Sequence, residues 1–402
     1  MATTGAVTTV AGHARYTFRL RVSSAARAGL AAEWARCRWV WNECVAVSRK
    51  VHSLNQSAEH TITCGPAQLD KMLTTARRST AWLRAGASVP QQQIIRDFAG
   101  SRAKALKDIK AGRPVRHRSG MPRVKRKRDA LPTLNYTQRG FRLKDGRLCL
   151  AGGIVLTVVW SRDLPSAPSS VRVYQDSLGH WYCSFVVPAM TEALPATGRA
   201  IGVDWGVKET ATTTSDAHDL PHARHGKTAE QRLARYQRMM ARRATPKNRP
   251  DTAGYRKARK AAAKLHKKIA RQRQDTGRKW AKKVVRDFDH LAVEDFHPKF
   301  LARCRTMSRK AADAAIAATK TALIDMARKH GRTVHLVHPA HTTMDCARCG
   351  ARTKHALPLS ERTYTCTACG AVSPRDKNSA HVMLVRAGLD PAGADLVRPA
   401  TC

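Results

Sequence analysis

Four cysteines carry the plainest chemistry in the chain. Cys346-Ala347-Arg348-Cys349-Gly350 and Cys366-Thr367-Ala368-Cys369-Gly370 are two Cys-x-x-Cys-Gly knuckles, with sixteen residues between Cys349 and Cys366. That spacing suits one tetrahedral zinc held by four thiolates, with a disulfide pair or idle thiols as the bland alternative. The glycine after each pair lets the chain turn tightly, so that backbone N–H groups face the sulfurs. A structural zinc at Cys346, Cys349, Cys366 and Cys369 is the expectation.

Three carboxylates carry the second chemistry. Asp204 lies inside the apolar run Ile201-Gly202-Val203-Asp204-Trp205-Gly206-Val207, Glu294 follows Leu291-Ala292-Val293, and Asp376 follows the second knuckle. A carboxylate in an apolar strand is costly to bury unless it is paired or metal-bound. The glycines around Asp204 are read as room for a phosphate backbone and a metal. If the strands neighbour one another in one sheet, the three acids converge. Hard cations want oxygen ligands, so such a cluster suits two magnesium ions and phosphodiester hydrolysis of the ribonuclease H type, without a covalent intermediate. Taken singly, each acid is as well explained as a cap or an ion-pair partner.

The composition bounds the partners. The 402 residues include 73 Lys plus Arg against 29 Asp plus Glu, a net charge of +44. That excess points to nucleic acid rather than to a membrane. No apolar run approaches the roughly 20 residues of a spanning helix, and Met1–Ala14 has neither the basic start nor the apolar core of a signal peptide. Eleven cysteines, seven of them (Cys37, Cys44, Cys64, Cys149, Cys183, Cys304, Cys402) without a pairing pattern, fit a reducing bacterial cytoplasm.

The elements that must position these residues follow in order. His13 to Val22 alternates as a strand, and Ser24 to Lys50 reads as a helix with Leu30, Trp34, Cys37, Trp41 and Val45 buried. Helical blocks follow at Ala67 to Arg84 and from Pro90 to about Lys110. The second opens on Gln91-Gln92-Gln93, where Gln92 has the amide that can pair with an adenine edge, or else is solvated. Ser101 to Arg128 holds twelve Lys or Arg against one Asp and is read as a phosphate-seeking loop, with Arg123, Lys125, Arg126, Lys127 and Arg128 at its basic end. Strand signals from Thr133 to Val187 give an antiparallel module, a barrel completed by the Tyr16 strand. Pro188 to Gly198 reads as a linker. Lys227 to Arg286 holds 22 Lys or Arg against three acids and is broken at Pro246 and Pro250 into a basic helical hairpin. Lys264, Lys267, Lys268, Arg271 and Arg273 are its candidate phosphate contacts. Thr306 to His330 is an Ala-rich helix and Thr333 to Val337 a strand leading into the knuckles.

With these residues in view, the chain resembles the TnpB/OrfB family of transposon-encoded RNA-guided nucleases and the compact type V CRISPR effectors related to it. The resemblance is carried by Tyr16-x-Phe18-Arg19-Leu20, Arg38-Trp39-Val40-Trp41-Asn42, Pro122 to Arg128, the Asp204 motif, Lys264-Leu265-His266-Lys267-Lys268-Ile269 with Arg273-Gln274-Asp275, Glu294-Asp295, both knuckles and Arg375-Asp376-x-Asn378. By position it implies Asp204, Glu294 and Asp376 as the catalytic, magnesium-holding acids, with Asp295 as a neighbour only.

The resemblance also implies an α+β multidomain fold. A β-barrel wedge domain (15–30 and 130–190) carries an inserted helical recognition bundle (31–129). A RuvC-like, ribonuclease H-type α/β nuclease domain follows (199–340 and 371–390), with the basic hairpin at 227–286 and an inserted four-Cys zinc ribbon at 341–370. Residues 1–14 and 391–402 are expected as tails. The implied partners are a guide RNA, double-stranded DNA bearing a short adjacent motif, and the RNA–DNA heteroduplex. The implied protein is a monomer or homodimer associated with the bacterial nucleoid. Trp205 replaces a common aliphatic residue and Pro374 a common acid, but all three catalytic oxygens remain. A non-cleaving RNA-guided or zinc-ribbon DNA-binding regulator and a DNA-strand transferase are the competing readings.

Overall fold

The structure is a computed structural model. It describes residues 5–7, 12–57, 60–127, 130–246, 249–296, 307–353 and 360–389. Arg128, Cys304, Cys402, the expected 391–402 tail and most of the expected 1–14 tail lie outside them. The chain divides into two compact units, Met1–Gly12 with Ala189–Cys402, and His13–Pro188.

In the His13–Pro188 unit, β-branched and aromatic residues alternate with polar ones, and seven strands pair antiparallel. Their order is Thr133–Thr137, Ser170–Gln175, Trp181–Pro188, His13–Arg21, Ile154–Val159, Arg147–Leu150, Phe141–Lys144. The expected barrel is an open sheet in hydrogen-bonding terms. Its edge strands are nonetheless joined by the single turn Gln138–Gly140, so they meet at one corner. Helices Ser24–Leu54, Pro66–Ser79 and Ser88–Lys110 share one core with this sheet, built on Phe18, Leu30, Trp34, Phe98, Leu134 and Phe185. The last helix takes in residues 101–110, which the basic-loop reading had unwound. It stops at Gly112, whose φ of 62° a side chain would resist.

The other unit is built on a six-stranded sheet in the order Gly5–Val7, Thr333–Val337, His290–Glu294, Ala200–Trp205, Glu209–Thr213, Leu220–Pro221. Strands His290–Glu294, Thr333–Val337 and Ala200–Trp205 run parallel, and the first and last of these are buried beyond their opening residue, as central parallel strands are. Gly5–Val7, expected as part of a free tail, instead pairs antiparallel with Val334–Leu336. Ile201, Val203, Leu291 and Val293 face one way, into a core with Trp280, Val284 and Leu323 of helices Ala253–Asp287 and Ile316–Lys329. Ala292 and Val337 face the other way, onto Met383 and Leu384 of helix Arg375–Arg386. The Ala-rich helix expected over 306–330 is broken at Ala315, whose φ is 54°.

The basic hairpin forms as helices Glu230–Arg242 and Ala253–Asp287. Residues 189–198, expected as a linker, are docked on this unit. Asp289 accepts the N–H groups of Thr197 and Gly198 at 2.7 Å each. Arg332, 4% exposed, reaches Asp289 at 2.6 Å and the Pro195 carbonyl at 2.9 Å.

Candidate nuclease site

The parallel register sets two of the acids side by side. Val203 pairs with Val293, so Asp204 and Glu294 follow at one level, on the face opposite Ile201 and Val203. That face carries helix Arg375–Arg386, and Asp376 stands in its first turn. Gly202 explains how the helix comes so close. A Cβ there would lie 2.0 Å from the Ala380 carbonyl oxygen. The glycine therefore makes room for a helix backbone, where the sequence suggested room for phosphate. Gly206 likewise serves its own turn, since a Cβ would meet the Glu209 carbonyl at 2.9 Å.

The electrostatics report the convergence. Burial, then the charges of Glu294 and Asp376, push the Asp204 carboxyl well above the usual range, and Arg375 opposes them. Glu294 is pushed up to about 7, chiefly by burial, against a hydrogen bond from the Trp205 N–H and the charge of Lys320. Asp204 and Glu294 are 8% and 6% exposed, while the Asp376 side chain is 34% exposed. All three line one groove of about 1410 Å³, together with the basic residues Lys208, Arg224, Lys227 and Arg362. Arg362 lies 3.8 Å from Asp376. Asp295, the neighbouring acid, is bound by Lys320 at 2.5 Å. A buried carboxyl pushed up by two neighbouring acids marks a site that gains from divalent cations.

The four cysteines form the second centre. Their sulfurs lie within 4.8 Å of one another, with Cys346 to Cys369 at 3.8 Å and Cys349 to Cys366 at 3.6 Å. Four thiolates at the usual Zn–S length of about 2.3 Å stand about 3.8 Å apart in a tetrahedron, so the donor set fits zinc. The two knuckles are built alike. Gly350 and Gly370 have φ of 73° and 68°, and each donates to the carbonyl of the first cysteine of its knuckle at 2.9 Å. Burial acts against the Cys366 thiolate, yet the N–H groups of Cys369 and Ala368 help pull the thiol down to about 6.

The nucleic-acid candidates divide. Arg123, Arg126 and Lys127 are exposed, as are Lys264, Lys268 and Arg271 on the long basic helix, where Lys267 is half-buried. Gln92 is exposed in a cleft of about 330 Å³ beside Arg77, Arg78 and Arg84. Its neighbour Gln91 is fully buried and bonded to Arg77 and the Leu83 carbonyl. Lys125 departs from the expectation. Its ammonium sits 4.0 Å from the centre of the Trp41 ring, and Asn42 and Trp41 bind the backbone around it. Arg273 also turns inward and holds Asp313 at 2.8 Å. Asp313 was missed in the sequence. It is 8% exposed and gathers the N–H groups of Gly226 and Lys227 at the groove wall. An isolated acid in an Ala-rich stretch gives no periodic signal.

Comparison with known proteins adds the lineage. Residues 184–305 match the OrfB_IS605 family, described as "Probable transposase", and residues 318–383 match the Cas12f1-like TNB domain. Over these two segments the chain is similar to the TnpB/OrfB and compact type V effector group. A Streptomyces pristinaespiralis protein named "Putative RNA-guided DNA endonuclease" is 29% identical over 238 residues, 58% of this chain. The match spans little more than half, 56%, of that relative's length. Among solved structures, a Cas12f1–sgRNA–target DNA complex aligns with TM-score 0.53 at 12% identity, covering 93% of this chain and 98% of the other. At that identity the likeness is one of fold. CasPhi-2 (Cas12j) bound to crRNA aligns more loosely, with TM-score 0.40 at 10% identity over 94% of this chain and 98% of the other.

Proposed function

We propose that the chain is an RNA-guided endonuclease of double-stranded DNA. It uses a RuvC-like, ribonuclease H-type site at Asp204, Glu294 and Asp376, with magnesium as the catalytic metal and a structural zinc on Cys346, Cys349, Cys366 and Cys369. The observation that carries this reading is the convergence of Asp204, Glu294 and Asp376 on one basic-walled groove. The two family-model matches, the relative's name and the fold of the Cas12f1 complex support it.

Asp204, Glu294 and Asp376 would hold the magnesium, which when bound would supply Lewis acidity toward an attacking water and a departing 3′ oxygen. The chain's own residues do the rest. Trp205 fixes one oxygen of Glu294 through its backbone N–H, leaving the other for a cation. Lys320 keeps Asp295 out of the cluster. The basic groove wall steers a phosphate backbone toward the acids. In this reading the His13–Pro188 unit serves as wedge and recognition region, with Gln92, Arg123, Arg126 and Lys127 toward nucleic acid. Base pairing with the guide supplies sequence choice, and the protein reads the heteroduplex backbone and a short flanking motif.

The test is to express the chain with its native locus, sequence the RNA that co-purifies, and offer the complex a plasmid library matching that RNA, with magnesium. One discrete RNA and cutting that Asp204→Ala abolishes are expected. Target binding without cutting would favour the non-cleaving regulator. Absence of a specific RNA would overturn the guided reading in favour of a protein-only DNA-binding or strand-transfer role.

A further inference from the structure

Helix Arg375–Arg386, which carries Asp376, is held on two sides. One side lies on the Asp204 strand at Gly202. The other meets the first cysteine knuckle, and there Asn378 makes the decisive contact. It is 5% exposed, two residues beyond Asp376. Its Nδ2 donates to the Asp345 carbonyl at 2.8 Å, and its Oδ1 accepts from the Ala347 N–H at 3.1 Å. Those backbone groups flank Cys346, so the side-chain amide stands where the peptide of a neighbouring strand would stand. The side chain needs a donor and an acceptor in one plane at this length, which aspartate and alanine lack. Arg386 adds a second tie, to Asp345 at 2.6 Å and to the His338 and Ala340 carbonyls at 3.0 and 2.7 Å.

We propose that Asn378 is a positioning residue that couples the four-cysteine centre to Asp376, so that metal held by the thiolates fixes the first turn of the helix bearing a nuclease acid. This rests on the nuclease reading of Asp376. It also goes further, because it makes the ribbon part of the machinery that aligns the acids. Cys346 cannot shift without moving Asp345 and Ala347, and neither can move without breaking a bond to Asn378. Coupling of this kind is reciprocal, so loss of Asn378 also loosens the hold on the thiolate-bound metal.

The experiment is a cycle on the full-length chain: wild type and Asn378→Ala, each zinc-loaded and each stripped by chelator. Hydrogen exchange is followed at amides 375–380. Stripping wild type is expected to speed exchange there by about tenfold or more, whereas loaded Asn378→Ala already exchanges fast and changes less than about threefold on stripping. Loaded Asn378→Ala is expected to keep one zinc but release it faster to a competing chelator. In cleavage of the guide-matched plasmid, it should need about tenfold more magnesium for half-maximal rate, a shift that stability loss alone would not give. Asn378→Asp keeps the acceptor for Ala347 and should fall between the two, and it is read by the same criteria if the alanine variant does not fold. Wild-type protection in loaded Asn378→Ala, or an equal response to stripping in both proteins, would overturn the proposal. Failure of wild type to cut at any magnesium concentration would sink the nuclease reading instead and leave the exchange cycle standing.

Discussion

The backbone N–H of Trp205 donates to Glu294 Oε2 at 3.2 Å, and its indole N–H donates to the Glu294 carbonyl, also at 3.2 Å. One residue thus ties the Asp204 strand to both the side chain and the main chain of the second acid. Its ring meets Trp280 edge-on, with centroids 5.9 Å apart. Trp205→Phe keeps most of the packing and loses the indole bond. It should cost about 1–3 kcal/mol, the usual penalty for a buried carbonyl left unpaired. The denaturant midpoint should fall with the slope unchanged, and cleavage should fall several-fold.

Asp204→Asn should separate stability from activity. The carboxyl is raised above its unfolded value, so its contribution to metal-free stability is fully present below about pH 4 and is lost as pH rises through the folded value. Glu294, raised to about 7, acts in the same direction up to neutrality. In EDTA, wild type should therefore be less stable at pH 8 than at pH 5. The asparagine variant should show a smaller loss and a higher melting temperature at pH 8. Its cleavage should drop by about a thousandfold or more, against the three-orders scale of electrostatic site residues. Equal pH profiles for the two proteins would contradict the buried-charge account.

Gly202→Ala leaves every acid in place. The new methyl would overlap the Ala380 carbonyl, and backbone cannot step aside as a side chain can. A cost of about 3 kcal/mol, at the upper end for overpacking, is expected. Residual cleavage should be low even at temperatures where the variant is folded, because the helix carrying Asp376 has been pushed off the strand. Wild-type activity in a folded Gly202→Ala protein would show that this approach does not align the site.

Lys125→Ala and Arg126→Ala should fail differently. Lys125 lies over Trp41, so its loss should cost about 1 kcal/mol of stability and leave the salt dependence of RNA binding unchanged. Arg126 is exposed, so its loss should leave stability alone and reduce the slope of log affinity against log salt by roughly one contact. Titrations at several salt concentrations would distinguish them.

Much of the site was legible because its chemistry is written in residue types. Cysteine spacing gave the thiolate cluster. Three acids at element edges gave the nuclease reading, since strand periodicity marks Asp204 and Glu294 as intruders in apolar runs. What escaped was whatever depends on close approach between distant segments. Gly202 looked like space for a ligand, and only the packed helix shows that the space is filled by Ala380. Lys125 sits in a run of like charges, and nothing in that run says that one of them turns onto Trp41, some eighty residues earlier. Arg332 and Asp289 gave no hint that residues 194–198 are fastened down, because a buried ion pair has no sequence period. The barrel expectation was right about the strands and incomplete about closure, which depends on hydrogen bonds between edges rather than on patterning.

The sheet that carries the acids is assembled from both ends of the chain. Gly5–Val7 pairs with Val334–Leu336, and the His13–Pro188 unit lies between these segments in sequence. Domains fold as units while the chain is synthesised. The inserted unit can therefore be complete on the ribosome long before its host. By then the first strand of the host sheet has been made, but its partner has not, and Asp376 follows later still. During synthesis the chain can thus pass through a stage with finished basic surfaces on the inserted unit and the three acids not yet brought together. On the nuclease reading proposed above, cutting ability would be the last property the nascent chain acquires.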